Sequence, residues 1–176
     1  VVVPAMGKST NAHERILNLL RQGTDHTTEL SALKHFHASI MQGLFPSNHA
    51  VFAIVEKLFA DLESQLNMDE PYDEVYDQVV PFGELMSTVI VHQYITHKKL
   101  PGQWIDARNY IHTDNTFREG KVNWTKTCEA IKTIRPVLQQ NNFIITQGFI
   151  GRTPDGLTTT LGRDGSDYSA AIFASC

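Results

Sequence analysis

Cysteine is nearly missing from this chain: two residues, Cys128 and Cys176, in 176. So few exclude a disulfide framework and provide no ligand set for structural zinc. Free thiols in a reduced, cytoplasmic setting are the expectation. A basic block is missing too. Fifteen lysines and arginines face 19 acids, for a net charge of −4, and this balance excludes a nucleic-acid surface. The longest apolar run, about Leu85 to Ile95, is broken by Ser, Thr, His and Gln and is too short to span a bilayer. No signal peptide is visible. Nor does the chain show an initiator Met: it opens on Val1-Val2-Val3 and stops at Cys176 inside an apolar run. Natural termini are usually polar and exposed, so the chain reads as an internal piece of a longer protein. Metal-ligand spacing is lacking among the eight histidines. His35 and His37 are two apart, His92 and His97 five apart, and neither spacing suits chelation from one helix face.

What is present reads as one domain, or part of one, with room for a substantial core. Val1 to Val3 has the composition of a buried strand, and Pro4 to Ser9 that of a loop. Asn11 is placed to cap a helix whose Ile16, Leu19 and Leu20 share a face, with Gly23 ending it. Leu30, Leu33, Phe36, Ile40 and Leu44 repeat at helical spacing, and so do Val51, Ile54, Val55, Leu58, Leu62 and Leu66. After the acidic stretch 69–77 another helical segment is interrupted by Pro81, and helix begins again over 83–96. Gln103 to Ala107 reads as a strand. Asn123 caps a helix carrying Ile131, Ile134 and Leu138, with Pro136 kinking or tightening its end. Phe143 to Thr146 and Thr158 to Leu161 read as strands, the second after the turn Pro154-Asp155-Gly156. Strands separated by helices predict an α/β fold with a largely parallel sheet. The helix-only block over about residues 12–74 reads as an insertion.

Chemistry concentrates in Gly148 to Ala170, GFIGRTPDGLTTTLGRDGSDYSA. Ser166 and Asp167 are good N-cap residues for a helix continuing through Ile172 and Phe173. Such a start offers unpaired amides and a partial positive charge to an anion. Gly162 and Gly165 permit close approach, and Arg163 between them can fork onto a carboxylate or phosphate. An ordinary capped helix after a hairpin would show the same residues. Gly7-Lys8-Ser9 invites a P-loop reading, but that pattern needs glycine where this chain has Val2, and Pro4 removes a loop donor.

Four blocks, in order and across the whole chain, resemble the aspartate kinases of the amino-acid kinase family: VVVPAMGKSTN (1–11), FGELMS (82–87), DARNYIHTD (106–114) and GFIG with TTTLGRDGSDYSA. The resemblance implies a three-layer αβα sandwich with a mainly parallel sheet and a helical insertion. It also implies transfer of the ATP γ-phosphoryl group to the β-carboxylate of L-aspartate, with Mg²⁺ bridging phosphates. By the family's pattern Thr10 and Arg163 hold substrate carboxylate, Glu84 takes the ammonium, and Ser166 lies near the reacting carboxylate. Asp167 organises a phosphate-binding lysine from a segment not in this chain. Gly165 and Ser166 face the γ-phosphate, and Gln147, Gly148 and Phe149 wall the pocket. The DAR block with Thr113 and Asp114 shapes the loops beneath. Two positions depart from the pattern: Pro4 stands where serine is common, and Asp164 where Gly or Asn is common. Both favour a rival reading, a non-catalytic binding module on the same fold; another amino-acid kinase, such as one acting on glutamate, is the nearer alternative. The resemblance places the nucleotide-binding half and regulatory ACT domains outside this chain, and expects a homo-oligomer for the full-length protein.

Overall fold

The computed structural model of the protein describes residues 1–141 and 143–176. Its sheet has three short parallel strands. β1 (Val2–Val3) and β2 (Gly102–Trp104) flank β3 (Phe143–Gln147), with Val2 opposite Thr146 and Gln103 opposite Ile144. Successive residues in a strand face opposite sides. Accordingly Trp104 packs on a larger core and Ile105 on a smaller one.

The larger core belongs to the helical block. It comprises α1 (Ser9–Arg21), α2 (Thr27–Leu44), α3 (Val51–Gln65), α4 (Tyr72–Val79) and α5 (Phe82–His97). Ile16, Val55, Leu62, Val79, Met86 and Ile90 are its fully buried centre. α5 packs against all three strands and so ties the block to the sheet. On the other face Ile131 of α6 (Trp124–Lys132) and Ile172 of α8 (Gly165–Ser175) join Ile105 and Ile144. This is the layered α/β arrangement with a parallel sheet and a helical insertion that the sequence predicts.

Several local expectations are corrected. Asn11 is inside α1, not at its cap. Gly7 adopts φ +56, and the helix begins two residues later at Ser9, whose hydroxyl donates to the Met6 carbonyl at 2.6 Å. Pro136 starts a separate helix, α7 (Arg135–Gln140), in whose first turn a missing N–H costs nothing. The strand expected at 103–107 ends at Trp104 and is followed by a 3₁₀ turn, Ala107–Asn109, capped by Asp106. Downstream of β3 lies an antiparallel hairpin, β4 (Ile150–Arg152) with β5 (Thr158–Thr160), Ile150 opposite Thr160; β4 was not expected. Cys128 and Cys176 are not free thiols. They form a disulfide across 48 residues, with Cα atoms 4.8 Å apart, because α6 and the end of α8 pack together on the same face of the sheet. Nothing in their spacing discloses that proximity. Among the described residues no helix is long and apolar enough to cross a membrane.

Two histidines are buried in the larger block. His13 donates from Nδ1 to the Ser9 carbonyl at 2.8 Å, and His37 likewise to Leu33 at 3.0 Å; among the described residues neither Nε2 has a partner. Burial lowers the His13 pKa from 6.5 to about 4. A depressed histidine contributes stability that is present above its unfolded pKa and lost as pH falls from 6.5 toward 4. Buried carboxylates titrate with the opposite sign over the same range, so the signal is a difference between variants. The advantage of wild type over His13→Leu, measured by urea unfolding, should shrink by about 2 kcal/mol between pH 7 and pH 5. A pH-independent difference would contradict the neutral buried imidazole.

Candidate functional site

The loop after β1, the starts of α1 and α5, the Phe149 turn and the N-terminus of α8 enclose one cleft of about 950 Å³. Thr10, Glu84, Phe149, Arg163, Gly165, Ser166 and Asp167 all line it. The structure therefore brings together seven residues drawn from three separated stretches of sequence.

The cleft forms because α8 closes onto the turn after β3. A Cβ on Gly148 would lie 2.6 Å from Ser166 Oγ and 2.7 Å from its Cα, and one on Gly165 would lie 2.5 Å from Phe149 Cδ2. Only glycine fits either position. Phe149 takes φ +71 in this turn, and its N–H donates to the Ser169 hydroxyl at 2.9 Å. Ser169 in turn donates to the Gly165 carbonyl at 2.8 Å. Ser169, one turn along α8 from Gly165, was not singled out from sequence. Ser166 and Asp167 are in the first turn of α8 rather than at its cap. The cap position is Asp164, in a left-handed conformation at φ 55 with no side-chain capping bond. Gly165, Ser166 and Asp167 thus occupy the turn whose amides lack partners within the helix.

Charge in the cleft is unbalanced. Glu84, in the first turn of α5, is 3 % exposed, and among the described residues its Oε2 has no hydrogen-bond partner. Burial raises its pKa to about 8, against the opposing pull of the Glu84 and Ala5 amides. A buried carboxyl with an empty acceptor face is arranged for a cation. Arg163 is the reverse case: its side chain is 96 % exposed and its contact with Asp164, also largely exposed, is a long 3.8 Å. Such an ion pair in water contributes little, so the guanidinium is available to an anion. Asp164 lies at the α8 cap position and lines the cleft, but its side chain is largely exposed, so its charge beside the α8 amides is screened by water. Pro4 offers no hydroxyl, but its carbonyl accepts from Ser87 Oγ at 2.7 Å and fixes the loop against α5.

Other expected site residues fall elsewhere. Gln147 is not a pocket wall. It is fully buried, accepts from the Ala107 N–H at 2.8 Å and donates to Thr88 Oγ1 at 2.8 Å, joining β3 to α5. Gly148 lies behind the cleft against Ser166. Lys8 is exposed on the far side of the loop. The DAR block does shape loops: Arg108 pairs with Asp106 at 2.6 Å, and Asp114 accepts from the Thr116 and Lys121 amides. Tyr76, Arg118 and Thr160 line the cleft and were missed. Among the described residues no three His, Cys, Asp or Glu side chains converge as a metal site.

A buried acid, an exposed guanidinium and a helix start thus line one cleft at the end of a parallel sheet. The chain belongs to the amino acid kinase family, whose model matches residues 1–176. It is 30% identical over 178 residues to lysine-sensitive aspartokinase 3 of Escherichia coli K12, covering 99% of this chain and 39% of that protein. It is 31% identical over 188 residues to the bifunctional aspartokinase/homoserine dehydrogenase 2 of the same organism, covering 97% of this chain and 21% of that one. The crystal structure of E. coli aspartokinase III in complex with aspartate and ADP superposes with a TM-score of 0.88 at 29% identity, over 99% of this chain and 39% of that one. The chain thus spans well under half the length of these relatives.

Replacing Gly148 with Ala should push the first turn of α8 off Phe149 and lower stability by about 1–3 kcal/mol, since overpacking against a backbone atom has no rotamer escape. Chemical denaturation of the variant checks this; an unchanged midpoint would mean that the contact yields freely.

Proposed function

We propose that the protein carrying this chain is an aspartate kinase, transferring the γ-phosphoryl group of ATP to the β-carboxylate of L-aspartate. The observation that supports it most is Glu84, a buried carboxyl whose Oε2 has no partner among the described residues, in the same cleft as Arg163 and the α8 N-terminus. Aspartate carries one ammonium and two carboxylates. Glu84 takes the ammonium, while Arg163, Thr10 and Ser166 hold carboxylate. Phe149 shapes the wall. An aspartate carboxylate with a reference pKa of about 3.9 is already ionised at neutral pH, so transfer needs no general base. The chain's task is then to orient two anions and neutralise charge between them. The Ser166 amide, without a partner among the described residues, fits a phosphoryl oxygen beside Gly165, whose own N–H donates to the Gly162 carbonyl at 3.2 Å, and Asp167 is placed in the same turn to organise a cationic group there. Mg²⁺, when bound with the nucleotide, supplies charge neutralisation on the phosphates. The nucleotide-binding half, ACT domains, homo-oligomeric assembly and cytoplasmic location are part of the same reading. The kinase activity in that reading is supported by the names of the relatives, and its ligands by the aspartate and ADP bound in the related aspartokinase III.

Hydroxylamine trapping on the complete protein with Mg-ATP tests the reaction. Acyl hydroxamate should form with L-aspartate and not with L-glutamate; a glutamate preference would assign another member of the family, and no product would assign a binding module. The ammonium role has its own signature. Near pH 7 Glu84 is mostly protonated in the free site, and it ionises when an ammonium binds opposite it. Aspartate binding should therefore release close to one proton, read by calorimetry in buffers of different ionisation enthalpy. Glu84→Gln should abolish the release. Arg163→Ala should raise the aspartate requirement far more than the ATP requirement, and equal effects on both would remove Arg163 from the amino-acid subsite.

A further inference from the structure

Asp77 is a fully buried carboxylate outside the cleft, and it is used three times. Its Oδ2 accepts from the Arg118 N–H at 2.8 Å and from the Thr160 N–H at 2.9 Å, and its Oδ1 accepts from the Thr160 hydroxyl at 2.8 Å. Its neighbour Gln78 brackets Thr158, accepting from the N–H at 3.1 Å and donating to the carbonyl at 2.9 Å. Two consecutive side chains of α4 thus stand in for a strand along the outer edge of β5.

The two bonds to Thr160 and the one to Arg118 converge on a single place. Thr160 is three residues before Arg163 in the chain. Arg118 sits at φ +69, a left-handed backbone uncommon for a residue with a side chain. It is held by Asp77 at its N–H and by stacking of its guanidinium 4.3 Å over Tyr76. Two residues beyond Arg118, the Gly120 N–H donates to the Thr160 carbonyl at 2.9 Å, so the loop that Asp77 holds is itself paired to the end of β5. Gly162, at φ +74, follows Thr160 by two residues and is held through the chain before it and the loop beside it. Arg163 follows immediately and has only a long, solvated contact of its own to Asp164. The direction in which Arg163 leaves the sheet is set upstream, and Asp77 is where both supports meet.

We propose that Asp77 is a positioning residue for the amino-acid subsite: it touches no substrate, and by clamping Thr160 and Arg118 it aims the Gly162–Arg163 turn into the cleft. This rests on the reading of Arg163 as a carboxylate partner. Loss of a purely structural clamp would cost stability alone, the outcome expected for Gln78 at Thr158, two residues farther from the turn. Asparagine can replace Asp77 with all three bonds intact, because one oxygen accepts both N–H groups and the amide donates to Thr160 Oγ1.

The test is steady-state kinetics and thermal unfolding on the complete protein for Asp77→Ala, Asp77→Asn, Gln78→Ala and Arg163→Ala. Asp77→Ala should raise the aspartate KM about tenfold or more with the ATP KM nearly unchanged, the pattern of lost positioning at one substrate. Asp77→Asn should restore most of the affinity. Gln78→Ala should lose stability without moving the aspartate KM. The proposal is overturned if Asp77→Ala leaves the aspartate KM alone while Arg163→Ala raises it, or if Gln78→Ala raises it equally. Should Asp77→Ala not fold, Thr160→Val deletes the hydroxyl bond alone and should raise the aspartate KM in the same direction; an unchanged KM again overturns the proposal. An unchanged KM in Arg163→Ala instead removes the reading on which the proposal depends.

Discussion

The cleft exists because two glycines let a helix end touch a strand end. With Gly148 facing Ser166 and Gly165 facing Phe149, the first turn of α8 rests on the backbone of the β3–β4 turn. Every ligand-facing feature follows from that contact. It sets the α8 amides at the end of the sheet, where a helix macrodipole favours an anion. It also forces Phe149 into a positive-φ conformation, which Ser169 stabilises from the same helix. The strain and its support come from one element, so the turn and the helix move as a unit.

Electrostatically the cleft is underprovided with cations. Glu14, Asp73, Glu84, Glu119, Asp164 and Asp167 line it, against Arg118 and Arg163. Such a site does not attract two anions by net charge. It selects by arrangement: one acid is buried with one of its two oxygens unpartnered among the described residues, and one guanidinium is left unpaired enough to be taken. A buried carboxyl with a pKa near 8 favours the neutral form until an ammonium arrives, so the site avoids holding an uncompensated charge when empty. On the proposed reading the remaining positive charge comes with the nucleotide and its Mg²⁺ or from outside these residues. That is consistent with a chain spanning 39% of the relative it superposes on.

The sequence disclosed most of the site and least of what holds it. The Gly165–Asp167 helix start was legible from its own glycines and cap-type residues, whereas Thr10 and Glu84 were singled out by the resemblance to aspartate kinases; the structure places all of them on one cleft. Long-range partners announce nothing. Asp77 lies in the stretch Val75-Tyr76-Asp77-Gln78-Val79, where an acid on a short helix looks like a solvent-facing charge, and its partners are 41 and 83 residues away. The cysteines misled for the same reason: two thiols 48 residues apart give no spacing to read, and only the packing of α6 against α8 pairs them. Gln147 was misplaced because a polar residue at a strand end reads as a site wall. A buried amide with both its donor and acceptor used is equally at home between sheet and helix. β4 escaped because three residues beginning Ile150-Gly151 carry no alternation to detect.

The two departures from the family pattern carry different weight once seen in place. Asp164 adds a negative charge next to the α8 amides, yet its side chain is largely exposed, so screening by water weakens it, and Arg163 lies nearby. Its cost to anion binding is correspondingly small. Pro4 is less easily compensated. It lines the cleft and supplies no side-chain donor, while its carbonyl is engaged by Ser87. On the proposed reading a carboxylate placed there has Thr10 as its hydroxyl donor, and more of the recognition falls to Arg163. The aim of that one exposed guanidinium then matters more than it would in a site with two hydroxyls, and the buried clamp that fixes the turn before it has a role in binding as well as in folding.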